Sequence, residues 1–222
     1  PEPIVILPNM KYEQRKRELN YLKEIFEELK IKTVEFPTTQ FFEGQAEVKW
    51  FNNGELLVIG YGFRSTKGSV KTLKKLINEI YTSYGVIPPR VLSLHLKSFA
   101  YFHLDLAILE TSQTSCILNI KAFKEKDIKR LEKELQITLL ETDDPFCLNS
   151  IIEGEHLLTH KLNDNKLKTL LQEKTGKSVI EIDTSEYEKS GGSVRCLVFD
   201  VFDPRLFKRK KNSNSNPTSP KL

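Results

Sequence analysis

The chain has 222 residues, 39% of them hydrophobic and 29% charged, and a formal net charge of +4 at pH 7. That is enough to bury a full core in one domain of ordinary globular composition. No run approaches about 18 uninterrupted apolar residues and no basic-then-apolar leader opens the sequence, so neither a membrane span nor a secretory signal is indicated and a soluble, cytoplasmic protein is expected.

In chain order, Tyr12–Lys30 reads as a helix with Leu22, Ile25, Phe26 and Leu29 on one face, followed by a strand over Ile31–Phe36. Val48–Phe51 and Leu56–Ile59 flank Asn53-Gly54, a pair suited to a tight turn at positive φ, and form a predicted hairpin. The helical period returns over Ser69–Tyr84 through Leu73, Leu76, Ile77 and Ile80. It returns again over Lys124–Leu135, which feeds a strand near Ile137–Leu140. A further helix, Lys166–Lys174, ends at Gly176 ahead of a strand over Val179–Ile182. Helices thus recur at intervals of roughly 40–57 residues, within the range of repeated units, and each unit reads as strands plus one helix. The alternation would also suit a doubly wound sheet, but neither GxGxxG nor a GxxxxGKS/T phosphate loop occurs, which argues against nucleotide binding.

The excess positive charge is concentrated in Lys208, Arg209, Lys210 and Lys211, ahead of a tail, Asn212–Leu222, rich in Ser, Asn and Pro. The tail reads as disordered. Its basic run reads as a solubilising end ahead of a polyanion-binding or nuclear-import segment, and no basic-aromatic pattern elsewhere marks a nucleic-acid surface.

Cys116, Cys147 and Cys196 are odd in number and lack CxxC spacing, which argues against a disulfide framework and a zinc site and leaves burial or catalysis for each. Cys196 closes the string Ser190-Gly191-Gly192-Ser193-Val194-Arg195-Cys196. Two earlier strings, Phe102-His103-Leu104-Asp105-Leu106 and Phe42-Glu43-Gly44-Gln45-Ala46-Glu47, supply an imidazole and carboxylates. Those are the groups that covalent attack on a cationic carbon requires. Taken singly, each has a plainer reading. A cysteine in an apolar strand such as Val194–Phe199 is more often inert, a lone histidine is more often a satisfied core residue, and Glu43 with Arg64 makes an ordinary solvated ion pair.

Read in order, FEGQAEV, GYGFRSTKGSV, FHLDLAI, DDPFCLN and IDTSEYEKSGGSVRC resemble the guanidino-group-modifying enzymes of the pentein superfamily. That group includes dimethylarginine dimethylaminohydrolases, arginine deiminases and glycine amidinotransferases. The resemblance runs from about Ile4 to Val201. It implies an α/β fold, an α/β propeller (pentein fold) of ββαβ units around a central polar channel. Residues 1–207 would form the catalytic domain and 208–222 the basic tail, and Pro1-Glu2-Pro3 opens on what matches the second blade, so that the first blade would be incomplete.

The resemblance also implies roles. Cys196 would attack the guanidinium carbon, and His103 would protonate the departing amine and then activate water. Glu43 would orient the histidine and the substrate nitrogens. Asp105, on the same face as His103 if the segment is a strand, would bind the cation together with Glu47, since a planar cation of high pKa is best held by several carboxylates. Gly191 and Gly192 would let backbone approach the substrate, and Arg64 would hold an α-carboxylate. Ala46 and Glu47 stand where the family usually has a glycine and an aspartate. His95, in Leu94-His95-Leu96-Lys97-Ser98, competes with His103, because some dimethylarginine hydrolases carry HLKS at their catalytic histidine. Cys147 fits a packing position, and Cys116 a strand core.

The implied activity is amidinohydrolysis of arginine or a methylated arginine to citrulline and ammonia or an alkylamine. The implied partner is a small guanidino substrate, with no metal or organic cofactor and with a homo-oligomer open. An amidinotransferase would use the same residues, and a non-catalytic pentein binding module is the reading from a different class.

Overall fold

A computed structural model describes residues 3–200; the basic run and tail lie outside the described residues. The N-terminal part comprises β1 (Ile4–Leu7), the one-turn helix α1 (Glu13–Lys16), α2 (Glu18–Glu28) and β2 (Lys32–Glu35), with β1 and β2 paired in parallel. One larger unit then occurs three times. The first copy is β3 (Val48–Phe51), β4 (Leu56–Tyr61), α3 (Lys67–Ser83) and β5 (Arg90–His95). The second is β6 (Ile108–Ser112), β7 (Ser115–Asn119), α4 (Glu125–Glu132) and β8 (Gln136–Leu140), and the third β9 (Ile151–Glu153), β10 (His156–His160), α5 (Asn165–Thr175) and β11 (Ser178–Ile182). In each copy the first two strands are antiparallel and the third is parallel to the second, so a helix must cross between the parallel pair. A short helix, α6 (Ser185–Glu188), follows the third unit.

Local chemistry explains the element ends. The β3–β4 turn has Asn52, Asn53 and Gly54 at φ of 51°, 54° and 89°, the left-handed region that Asn and Gly tolerate. Thr66 caps α3 by accepting from the Ser69 N–H at 3.2 Å. Asp164 caps α5 through the Lys166 N–H at 2.8 Å, and Gly176 closes it at φ 66°.

Alternation along the strands divides the interior. Leu56 and Val58 of β4 join an inner cluster with Leu94, Leu104, Ile108 and Leu118. Leu57 and Ile59 point the other way and pack with Leu73 and Ile77 of α3. The β3–β4–β5 sheet is therefore covered on both sides.

Two expectations need correction. The helix over Tyr12–Lys30 is interrupted at Arg17, where the backbone tightens and the Asn20 N–H reaches Arg17 O in 3-10 fashion. Its apolar face is also narrower than the period implied: Phe26 is buried, while Ile25 and Leu29 are 49% and 57% exposed. Among the described residues no helix is long and apolar enough to cross a membrane.

Candidate active site

The segments that enter the first strand of each unit converge. A 3-10 turn over Gly44–Glu47, preceded by Glu43, leads into β3, and another over Leu104–Leu106, preceded by His103, leads toward β6. Asn149 stands just ahead of β9. A third turn, Val194–Leu197, brings Cys196 to the same place. Two expectations are thereby corrected. Asp105 does not lie on a strand beside His103 but inside a 3-10 turn, and Cys196 lies on a 3-10 turn instead of a strand over Val194–Phe199, because its backbone bonds run to Ser193 and Asn149 and not to a strand partner.

Glu43 is the hub. Its Oε2 meets His103 Nε2 at 2.8 Å, Arg64 Nη2 at 2.9 Å and Arg15 Nη1 at 3.3 Å, and its Oε1 accepts the Lys11 N–H at 3.1 Å. Burial pushes the carboxyl up, but the His103 hydrogen bond and charge, with Arg64 and the Lys11 amide, overrule it and hold Glu43 at about 2. Arg64 reaches Glu43 through Nη2, and its buried Nε has no hydrogen-bond partner among the described residues. It pairs with Glu43 and lies 4.6 Å from the Tyr12 ring centroid and 5.3 Å from that of Phe102. Glu43 is buried and Arg64 12% exposed, where the plainer reading had the pair solvated. Glu43 is joined by His103, while His95 stacks on Tyr61 at 5.1 Å.

Glu47 and Asp105 are two further carboxylates, both buried, each with one oxygen lacking a hydrogen-bond partner. Glu47 Oε2 accepts the Leu104 N–H at 3.3 Å. A Cβ at Gly60 would come within 2.7 Å of that oxygen and 2.8 Å of Leu104 Cβ, so glycine is what lets both turns close onto β4. Burial pushes Glu47 up to about 7 and raises Asp105 as well, with the charge of His103 pulling each of them back.

This has a consequence for stability. The ordinary carboxyl value of 4.5 lies below the folded value of about 7, so between the two the folded chain holds the extra proton and stability falls as pH rises. Glu47→Gln removes that penalty while keeping an acceptor for Leu104. Urea unfolding at pH 8 is expected to show the variant gaining roughly 3 kcal/mol relative to its difference from the parent at pH 4. An equal difference at both pH values would contradict it.

Cys196 is solvent-accessible, and its thiol lies 3.8 Å from Asp105 Oδ2. Enough protein packs around the sulfur that desolvation, with the Asp105 charge adding, pushes the thiol up to about 11. Gly191, at φ 87°, has room for no side chain beyond a tight fit, since a Cβ would sit 3.2 Å from Phe102 Cζ. At Gly192 it would sit 3.3 Å from Cys196 Cβ. The space these glycines clear is thus filled by Phe102, which packs on His103, and by the cysteine itself.

Three participants escaped sequence reasoning. Arg15 carries no motif signal. Asn149 was visible as a polar residue ending the apolar string Phe146-Cys147-Leu148. Lys49 shares a strand face with buried Phe51, which by alternation marks it as inward-facing; it is 2% exposed, pairs with Glu110 at 2.6 Å and opposes the rise in Asp105. Among the described residues no three His, Cys, Asp or Glu side chains are placed to hold a metal. A separate cavity lined by Asp144, Phe146, His160 and Glu188 includes none of Cys196, His103, Glu43 or Asp105.

Comparison with known proteins gives a consistent picture. The model of a family described as N,N dimethylarginine dimethylhydrolase, eukaryotic, matches residues 2–203. The bifunctional arginine dihydrolase/ornithine cyclodeaminase AgrE of Nostoc sp. is 27% identical over 205 residues, which are 90% of this chain and 28% of that protein. The uncharacterized protein ZK1307.1 of Caenorhabditis elegans is 28% identical over 197 residues, 87% of this chain and 66% of its own length. The chain therefore spans less than two thirds of either relative. Among solved structures, the product-bound N-terminal domain of ArgZ, an arginine dihydrolase from the ornithine-ammonia cycle in cyanobacteria, superposes with a TM-score of 0.78 at 25% identity, covering 90% of this chain and 71% of that one.

Proposed function

The chain belongs to the eukaryotic N,N dimethylarginine dimethylhydrolase family, and on that premise we propose that it hydrolyses the guanidino group of arginine or an N-methylated arginine through a covalent intermediate on Cys196. The observation that carries the reading is the convergence of one accessible thiol, one imidazole and three buried carboxylates: Asp105 at 3.8 Å from the sulfur, Glu43 at 2.8 Å from His103, and Glu47 bonded to the Leu104 N–H beside them. The repeated ββαβ units would be blades of a propeller around this polar centre, with residues 1–207 as the catalytic domain and 208–222 as a basic tail. No metal or organic cofactor is required by these steps. A cytoplasmic location and a homo-oligomer are part of the same proposal.

The steps follow from the groups present. A guanidinium seated against Asp105 and Glu47 supplies the positive charge that these buried carboxyls lack, drawing both into their ionised forms. The same charge offsets Asp105 against the Cys196 sulfur and so favours the thiolate. The thiolate bonds to the guanidinium carbon, and a C–N bond breaks as His103 gives a proton to the departing amine. His103 then takes a proton from water, whose oxygen bonds to the same carbon. The C–S bond breaks, the remaining proton on that oxygen passes to solvent, and a neutral ureido product leaves with the thiolate and protonated His103 restored. Glu43, ionised at neutral pH, holds the imidazole in place through both steps. Accessibility of Cys196 favours hydrolysis over amidinotransfer, which needs water kept out.

The test is incubation of the purified protein with arginine, dimethylarginine and agmatine, reading ureido product by colour. Product from at least one of them is expected. A folded protein that releases none would turn the proposal toward transfer or simple binding. Because Glu47 takes up a proton as pH falls through about 7, KM is expected to rise below that pH.

A further inference from the structure

The segment Asp143-Asp144-Pro145-Phe146-Cys147-Leu148-Asn149 carries no role in the chemistry above, yet its last residue touches the nucleophile in two ways and the preceding Arg195 in two more. Asn149 is fully buried. Its Oδ1 accepts the backbone N–H groups of Arg195 at 3.1 Å and Cys196 at 3.4 Å, and its Nδ2 donates toward Cys196 Sγ at 3.4 Å. The Arg195 N–H is also 3.2 Å from the Asn149 carbonyl oxygen.

The amide has one sensible orientation. Two backbone donors face one end, so that end must be the oxygen, and the NH2 is left aimed at the sulfur. A neutral thiol is a weak acceptor and a thiolate a strong one, so a donor fixed there favours the ionised sulfur. Asp105, on the sulfur's other contact, acts in the opposite sense.

The seat itself is built rigidly. Asp144 Oδ1 accepts the Phe146 and Cys147 N–H groups at 2.9 and 3.1 Å, and the Asn149 N–H returns to Phe146 O at 2.9 Å. Buried His160 lies between Asp144 Oδ2 at 3.0 Å and Glu188 Oε1 at 3.2 Å, joining this loop to the segment that runs from α6 into Cys196.

We propose that Asn149 is the positioning residue of the nucleophile, setting the turn that presents Cys196 and donating a hydrogen bond to its thiolate. The inference rests on the reading of Cys196 as the attacking group, but its test does not need turnover. Alkylation of Cys196 by iodoacetamide, followed by peptide mass across a pH series, gives the midpoint of thiolate formation. Asn149→Asp keeps an acceptor for both backbone amides but puts a carboxylate charge where the donor was, while Asn149→Ala removes acceptor and donor without adding a charge.

Both variants are expected to raise the midpoint by about one pH unit or more, and so to slow alkylation about tenfold at a pH below both midpoints. A midpoint unchanged in a folded Asn149→Ala protein, where the donor is lost with no charge added, would overturn the proposal. In the unsubstituted protein, the Asn149 side-chain amide resonances should titrate together with Cys196 and cease to do so in Cys196→Ser. Resonances indifferent to the thiol would overturn it equally, even if neither Asn149 variant folds. A protein inert toward every guanidino compound would sink the hydrolase reading and leave the alkylation result intact, whereas an active enzyme with an unshifted midpoint would sink Asn149 alone.

Discussion

Cys196→Ser is expected to lower ureido formation by about 10⁴-fold or more while leaving substrate affinity within a few-fold of the parent. Oxygen replaces sulfur at nearly the same place, so Asp105, Glu47 and Asn149 keep their positions and the cation keeps its seat. What is lost is the thiol that a bound guanidinium draws into its ionised form. No other thiol is placed to substitute. Cys116 and Cys147 are buried, and burial pushes Cys116 up to about 12 and raises Cys147 as well. Because Cys196 is accessible, the variant should unfold within about 0.5 kcal/mol of the parent, so that lost activity reports chemistry. Steady-state rates with urea unfolding on the same preparation check both halves. Activity within tenfold of the parent would place the nucleophile elsewhere.

His103→Gln is the second large effect, with kcat expected to fall about 10²- to 10⁴-fold. Glutamine can still donate to Glu43, so the hub and its arginines stay in place, but it neither gives a proton to the leaving amine nor takes one from water. The loss should therefore sit in kcat more than in KM, and a leaving group that needs no protonation should recover part of the first step. A fall confined to KM would instead make His103 a binding group. His95→Gln gives the contrast: this histidine stacks on Tyr61 and stands apart from Glu43, so its loss should cost little.

Much of the fold was legible because its signals are local. The Asn53-Gly54 turn, the cap at Gly176 and the helical periods of α3, α4 and α5 each depend on a few neighbouring residues, and the recurring unit followed from their spacing. The break at Arg17 carries no Gly or Pro to announce it. Val194–Phe199 is as apolar as a strand, but what decides its conformation is Asn149, some 47 positions away, whose side chain and carbonyl take the amides a strand partner would have used. The same holds at Leu104–Leu106, where the turn is fixed by the Glu47 carboxylate accepting the Leu104 N–H.

At the site, the motif strings supplied the residue types but not their partners. Glu43 and His103 do meet, as the resemblance implied. Arg64 lies against Glu43 and two aromatic rings, and Arg15 joins the same carboxylate from a helix with no motif. A list of groups in sequence says which chemistry is available. It does not say which charges are already neutralised, because that depends on contacts between segments of different units.

The most direct test of the account is the covalent intermediate itself. Protein mixed with the guanidino compound that it turns over, quenched in acid during steady state, should gain the mass of a substituted amidino group, carried on the peptide that contains Cys196. The His103→Gln variant should hold that adduct longer than the parent. Turnover with no adduct in either protein, or an adduct on any other residue, would contradict attack by Cys196 and with it the role given to every group around it.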